Sequence, residues 1–394
     1  MTQQLQTPYF LIHKNELDAQ LELLQKALHQ YWPNSVIGYS YKTNTLPWVI
    51  DYFYKQGCYA EVVSDDEYRL GKHMGVQLDR FVYNGPIKTK DTFLEALKAG
   101  SYVNIDSQRE IDWLQELDPG KQYNLGIRVN FDLENICPGH TQCPTEGGRF
   151  GFCYENGALE KALRQIEACG HTVKGLHMHT SSKTRALAVY TELAKKACEI
   201  AGVYQLDLSF VDIGGGFFGG MPNKPQFSDY IGEISRILET SFRKDTVTLI
   251  VEPGMSVIGP SISFVTSVMD VKDTTYGRFV TTDGSRTNID PLMSKKSYFH
   301  HVQFLDGERE KMTLQAICGY TCMEHDRLFE MKDAPELKVG DRIVYEKVGG
   351  YTMCLAPLFI KFFPSVWVED GENLYQVRTH WDAKEFCGGS QWEK

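Results

Sequence analysis

The 394-residue sequence has no run of 18 apolar residues, so a helical membrane span is not expected. Residues Met1–Pro8 lack a basic stretch followed by an apolar one, and no secretory signal is read there. Positive charge is in deficit: 41 Lys and Arg stand against 51 Asp and Glu, a formal charge of −10. That balance argues against nucleic acid or an anionic membrane surface as the main partner. The ten cysteines form no CxxC pair. The closest spacings are Cys318 to Cys322 and Cys137 to Cys143. Neither a disulfide frame nor a bound metal is expected from them, and the reading favours free thiols in a cytoplasmic protein. Low-complexity segments and short-period repeats are missing too.

What is present is ordinary globular composition, 42% apolar and 23% charged, in a length that fits two domains. Short β-branched and aromatic runs alternate with helical patterns between residues 36 and 252. Strands are predicted at 36–41, 58–63, 80–84, 101–105, 124–130, 173–179, 208–213 and 247–251. Helices are predicted at 90–99, 107–117, 155–168, 184–201 and 227–242. Eight strands in this alternation are the count of a (β/α)8 barrel, although a doubly wound sheet also alternates. After residue 261 the pattern turns to strands at 261–271, 278–282, 313–317, 342–346 and 365–369, with Asp-Gly turns and few helices. This predicts a second, mostly antiparallel β domain, which the strand-like segment Pro8–His13 joins. The expected division is 31–260 for the barrel and 1–30 with 261–394 for the β domain. Residues 131–148 show no periodicity and form a long loop.

Reactive side chains of a barrel collect at the C-terminal ends of its strands. The first strand runs into Lys42, the fifth contains Arg128, and the sixth carries His177 and His179. The seventh ends in Asp212 before Gly214–Gly216, and the eighth ends in Glu252 before Pro253-Gly254. Each signal is weak alone. A lysine at a strand end is usually solvated, a strand histidine is commonly a core residue, and a glycine triplet is often only a loop. Together they have one chemical logic. A lysine forms an imine with an aldehyde cofactor, glycines let backbone amides approach a phosphate, and a carboxylate keeps a pyridine nitrogen protonated.

On these motifs the chain resembles the fold-type III decarboxylases that use pyridoxal 5′-phosphate (PLP), the diaminopimelate, ornithine and carboxynorspermidine group. The matching elements are Tyr41-Lys42-Thr43-Asn44, Gly175-Leu176-His177-Met178-His179, Asp212-Ile213-Gly214-Gly215-Gly216-Phe217, Glu252-Pro253-Gly254, Thr321-Cys322 with Asp326, and Gly350-Tyr351-Thr352. They fall in the family order from about Thr7-Pro8 to Pro364. The resemblance implies an alanine-racemase-like (β/α)8 barrel and a homodimer with shared active sites. It gives Lys42 the Schiff base and places His179 on the cofactor face. Ser182, Gly214, Gly215, Gly216 and Tyr351 would meet the phosphate, with Asp212 supporting that pocket. Glu252 would hold the pyridine nitrogen, and Cys322 would donate a proton from the second subunit. The implied reaction loses CO2 from an amino-acid substrate through an external aldimine and a quinonoid. A racemase or epimerase on the same fold and a non-catalytic PLP-binding protein are the alternatives. Glu252 disfavours the racemase, because a carboxylate at the ring nitrogen keeps the electron sink strong.

Four departures bear on the substrate. Met255 stands where many members have arginine after Glu-Pro-Gly, and Arg128, Arg149 or Arg286 could supply that charge. Met323 follows the cysteine where an acidic residue is common, with Glu324 next. Asp290-Pro291 replaces an Arg-Pro typical of diaminopimelate decarboxylases, which argues against that substrate; Asp290 or Asp283 would suit a distal amine. Gly148-Arg149-Phe150-Gly151 keeps a cation where lysine is usual, and the loop with Cys137, Pro138 and Cys143 resembles the carboxynorspermidine branch. A carboxylated polyamine, a basic amino acid, or a siderophore or antibiotic intermediate is expected.

Overall fold

The computed structural model describes residues 5–180, 183–305 and 307–392. The chain forms two compact units, one from the residues up to Ala19 together with those from Val257 onward, the other Gln20–Ser256. The division at the N-terminal side falls inside helix α1 (Lys14–Tyr31).

The first strand of the chain is β1 (Tyr9–His13). The Gln20–Ser256 unit then holds β2 (Ser35–Ser40), β3 (Tyr59–Ser64), β4 (Phe81–Ile87), β5 (Tyr102–Ile105) and β6 (Leu125–Asn130). After the two-residue β7 (Phe152–Cys153) come β8 (Gly175–His177), β9 (Phe210–Asp212) and β10 (Thr248–Val251). Each of the eight long members pairs in parallel with the next; β10 pairs back to β2 and β6 to β5, so the sheet closes. The eight strands match the expected ones, and closure settles the barrel against the open sheet.

Helices cover the barrel between the strands: α2 (Pro47–Lys55), α3 (Asp65–His73), α4 (Lys90–Ala99), α5 (Gln108–Trp113), α6 (Leu133–Ile136), α7 (Ala158–Ala168), α8 (Leu187–Val203) and α9 (Phe227–Leu238). Local chemistry explains their starts. Ser64 caps α3 by accepting the Glu67 N–H, and Asp65, Asp66 and Glu67 occupy its positive end. Before α5, the Ser107 side chain makes no cap bond. Glu110 instead turns back and accepts the Asp106 N–H at 2.7 Å. Glu110 is buried and also meets Lys88 at 3.2 Å.

The barrel interior is layered, because alternate residues of a strand face the same side. Near the strand starts Val82, Phe210 and Ile250 form an apolar cluster with Val36, Tyr59 and Tyr102. The Phe210 ring occupies the space that a Cβ at Gly175 would fill, 2.1 Å away. One layer further along, the strands contribute Ser40, Glu61, Asn84, Asn104, Arg128, His177, Asp212 and Glu252, all buried. A polar layer thus sits on an apolar floor.

The other unit is a mixed nine-stranded sheet. It joins β1 to β11 (Ile262–Thr274), β12 (Gly277–Thr282), β13 (Phe299–Gln303), β14 (Lys311–Cys318), β15 (Arg327–Pro335), β16 (Arg342–Glu346), β17 (Ser365–Asp370) and β18 (Asn373–Arg378). Most pairings are antiparallel, but β1–β17 and β12–β14 are parallel. The strand at Pro8–His13 does join this sheet, between β11 and β17. Among the described residues no helix is long and apolar enough to cross a membrane.

Candidate active site

Lys42 lies on a single 3-10 turn, Tyr41–Thr43, where β2 ends. Its position is fixed from below: the Ser40 N–H donates to the Pro253 carbonyl at 3.1 Å, and the Tyr39 hydroxyl donates to the Asn44 carbonyl at 3.0 Å. The Lys42 ammonium donates to Glu61 Oε2 at 2.5 Å. Glu61 is 1% exposed. It also accepts from the Ser40 hydroxyl at 2.6 Å and from Asn84 Nδ2 at 3.1 Å.

The same Asn84 nitrogen donates to Glu252 Oε1 at 2.5 Å. Asn84 Oδ1 accepts from Asn104 Nδ2 at 2.7 Å, and that nitrogen also reaches Asp212 Oδ2 at 3.2 Å. Lys42, Glu61, Asn84, Asn104, Asp212 and Glu252 are therefore one hydrogen-bonded chain in the polar layer. His177, Asp212 and Glu252 bring one ligand-type atom each within 4.8 Å of one another.

The charges in this layer are sorted by burial and by each other. Burial, then the neighbouring Glu252 charge, pushes the Asp212 carboxyl well above its usual range. Burial opposes ionisation of Glu252 too, but His177 and Lys42 outweigh it and hold that carboxyl below the usual range. Burial lowers His177, and its ring nitrogens make no hydrogen bond, the nearer contact to Glu252 being 3.5 Å. His179 is pushed down to about 3 by burial, with Arg128 and Lys42 adding repulsion. It is neutral, and its Nδ1 accepts the Gly215 N–H at 3.2 Å. The two rings lie 6.2 Å apart and nearly parallel.

Gly214 and Gly216 have φ of +73° and +89°, a region that favours glycine. A Cβ at Gly214 would lie 2.4 Å from the His179 ring, and one at Gly215 would lie 2.0 Å from the Glu252 carbonyl oxygen. The loop is thus a bare-backbone ledge beside His179 and Glu252. Ser182, expected at the phosphate, lies outside the described residues.

The remaining candidates separate into committed and open side chains. Arg128 donates to Asp106 at 3.1 Å and to the His179 carbonyl at 3.2 Å. Arg149 is exposed, its guanidinium 4.1 Å from the Phe150 ring centre. Asp290 Oδ2 accepts from Arg286, Tyr298 and the Lys295 N–H, and Oδ1 from the Ser294 N–H. Both oxygens are engaged, so Asp290 is an internal clasp. Asp283 is buried and accepts the Ser267 N–H at 2.8 Å. Asp326 binds the Arg286 N–H, the Ser285 hydroxyl and Thr321, which ties down the turn bearing Cys322. Cys322 and Tyr351 are exposed, Met323 is half-buried, and Glu324 is fully open to solvent.

Reading strand ends missed Glu61, Asn84 and Asn104, which sit inside the strands. Their signal was a lone polar residue within an apolar run, such as Glu61 in Tyr59–Val63.

A lysine, a bare-backbone ledge, a neutral histidine and a buried carboxylate gathered on one barrel rim fit one class, the PLP-binding barrels. The family comparison is specific. The pyridoxal binding domain of the pyridoxal-dependent decarboxylases matches residues 15–259, and the chain belongs to that family. Diaminopimelate decarboxylase from Aquifex aeolicus (strain VF5) is 25% identical over 394 residues, covering 95% of this chain and 90% of that protein. Diaminopimelate decarboxylase from Actinosynnema pretiosum subsp. auranticum is 29% identical over 344 residues, covering 84% and 77%. The crystal structure of diaminopimelate decarboxylase from M. jannaschii with L-lysine has a TM-score of 0.84 at 21% identity, covering 98% of this chain and 92% of that one. The protein is a PLP-dependent carboxy-lyase. The expectation against diaminopimelate draws no support from these relatives, which carry that name.

Proposed function

We propose that this enzyme decarboxylates an α-amino acid carrying a second amino group, with Lys42 as the cofactor lysine. The observation that carries the reading is the continuous hydrogen-bonded chain from Lys42 through Glu61 and Asn84 to Glu252. When bound, PLP supplies an aldehyde for imine formation and a ring that accepts the electron pair released as CO2 departs. This chain's residues do the rest. Glu61 holds the proton and the orientation of Lys42 Nζ. Glu252, ionised and buried, suits a protonated ring nitrogen. His179, neutral and flat beside the glycine ledge, suits stacking on the ring. Gly214–Gly216 offer backbone to the phosphate, and Tyr351 and Ser182 are proposed to join them. Cys322 is proposed to protonate the carbon that lost its carboxylate.

We further propose a homodimer with shared sites in a reducing, cytoplasmic setting. Tyr351, Leu355, Leu358, Phe359 and Ile360 are exposed apolar side chains close in sequence, which favours burial against a second copy. Cys58, Cys137 and Cys322, among others, are free thiols, which suits a reducing compartment.

The test loads the protein with PLP and follows its absorbance and CO2 release. A yellow, borohydride-reducible species is expected in wild type and not in Lys42→Ala. The substrate panel holds diaminopimelate, lysine, ornithine and a carboxylated polyamine beside monoamino acids. CO2 from the monoamino acids alone would overturn the second-amine requirement. A reducible species retained by Lys42→Ala would remove Lys42 from its role.

A further inference from the structure

We infer that Asn84 is a positioning residue that ties the charge of Glu252 to the Lys42–Glu61 pair, so that the two ends of the bound cofactor do not titrate independently. The inference rests on the PLP reading above and adds a role for a side chain that touches neither Lys42 nor, in this structure, any ligand.

The geometry is that of a fully used amide. Asn84 is 2% exposed. Its Nδ2 donates one hydrogen to Glu61 Oε1 at 3.1 Å and the other to Glu252 Oε1 at 2.5 Å. Its Oδ1 accepts from Asn104 at 2.7 Å, which fixes which end of the amide faces the carboxylates. Asn104 is held in turn by Asp212 Oδ2 at 3.2 Å. A Cβ at Gly126 would lie 2.0 Å from Asn104 Oδ1, so the glycine gives this second amide its room. Two buried carboxylates thus share one amide nitrogen. Each would otherwise face the other across the bore with one donor fewer, and a buried acceptor that loses a donor becomes more basic. Glu61 faces Lys42, Ser40, Glu67 and Asn84, and Glu252 faces His177, His179, Asp212, Asn84 and the charge of Lys42. Asn84 hydrogen-bonds to both carboxylates. A change in proton content at Lys42–Glu61 therefore reaches Glu252 through this rigid amide as well as through the direct charge of Lys42.

The experiment is a pH titration of the visible chromophore of PLP-loaded protein, for wild type, Asn84→Ala, Asn84→Asp and Asn104→Ala. Wild type gives one midpoint. Removing the amide in Asn84→Ala is expected to raise that midpoint by about one pH unit. Asn84→Asp keeps the shape but replaces both donors with a third carboxylate, and is expected to raise it at least as far. Asn104→Ala frees the amide to turn and is expected to move it in the same direction by less. Space-filling alone predicts the opposite order, with Asn84→Asp like wild type and Asn84→Ala merely less stable. Melting of the cofactor-free variants shows which are folded; should Asn84→Asp fail to fold, the other two carry the test. Midpoints that coincide with wild type in the folded variants overturn the inference and leave the PLP reading intact. A wild-type protein with no reducible chromophore overturns both.

Discussion

Glu67, at the start of α3, accepts the Val63 N–H at 2.7 Å and lies in the field of Glu61 and Lys42. Burial pushes its carboxyl from 4.5 up to about 7, against the lowering effect of the Val63 N–H. The folded state therefore keeps this proton where the unfolded chain has lost it. Stability from this group is complete below pH 4.5 and is lost as the pH rises through about 7. Glu67→Gln keeps the acceptor and removes the titration. Its melting temperature should match wild type near pH 4.5 and exceed it above pH 7 by about 2 °C or more. Equal differences at both pH values would contradict the assignment. At this scale the sequence was only partly legible. Lys42, His179, Asp212 and Glu252 stand out because they end strands. Glu61, Asn84 and Asn104 do not, because only the three-dimensional closure of the barrel turns positions on three separate strands into one polar layer.

At the scale of elements, the loop Gly214–Gly216 is backbone packed where no side chain fits. Gly215→Ala would bring a methyl group against the carbonyl oxygen of Glu252, with no flexible side chain there to yield. It should cost roughly 2–4 kcal/mol by urea unfolding. Gly202→Ala is the control: it lies in α8 with nothing within 4 Å of the added carbon, and should be neutral or slightly stabilising. A Gly215→Ala protein as stable as wild type would mean the loop has more room than it shows. The strands that pattern reading found were those with a buried face, such as β11 and β16. It missed β13, β15 and β18, whose exposed positions carry histidine, lysine, glutamine and arginine. Polar, half-exposed strands gain their identity from neighbours far along the chain. The mostly antiparallel expectation holds, but the two parallel pairings, β1 with β17 and β12 with β14, are arrangements no local pattern encodes.

For the whole molecule, the proposal of shared sites has a direct consequence. Lys42→Ala and Cys322→Ala should each be nearly inactive. After unfolding and refolding together, mixed dimers would each hold one site with both residues native, restoring about a quarter of wild-type activity. No recovery, with dimers shown by light scattering, would place Lys42 and Cys322 of the same copy at one site.

Strand β1 lies between β11 and β17, with the barrel's whole sequence interposed before either neighbour. A ribosome makes β1 well before either of its partners. The nascent chain thus carries an apolar strand with no mate while the barrel is already complete enough to close its own sheet. Residues 9–12, buried in the finished protein, therefore wait for their partners while the whole barrel is synthesised between them.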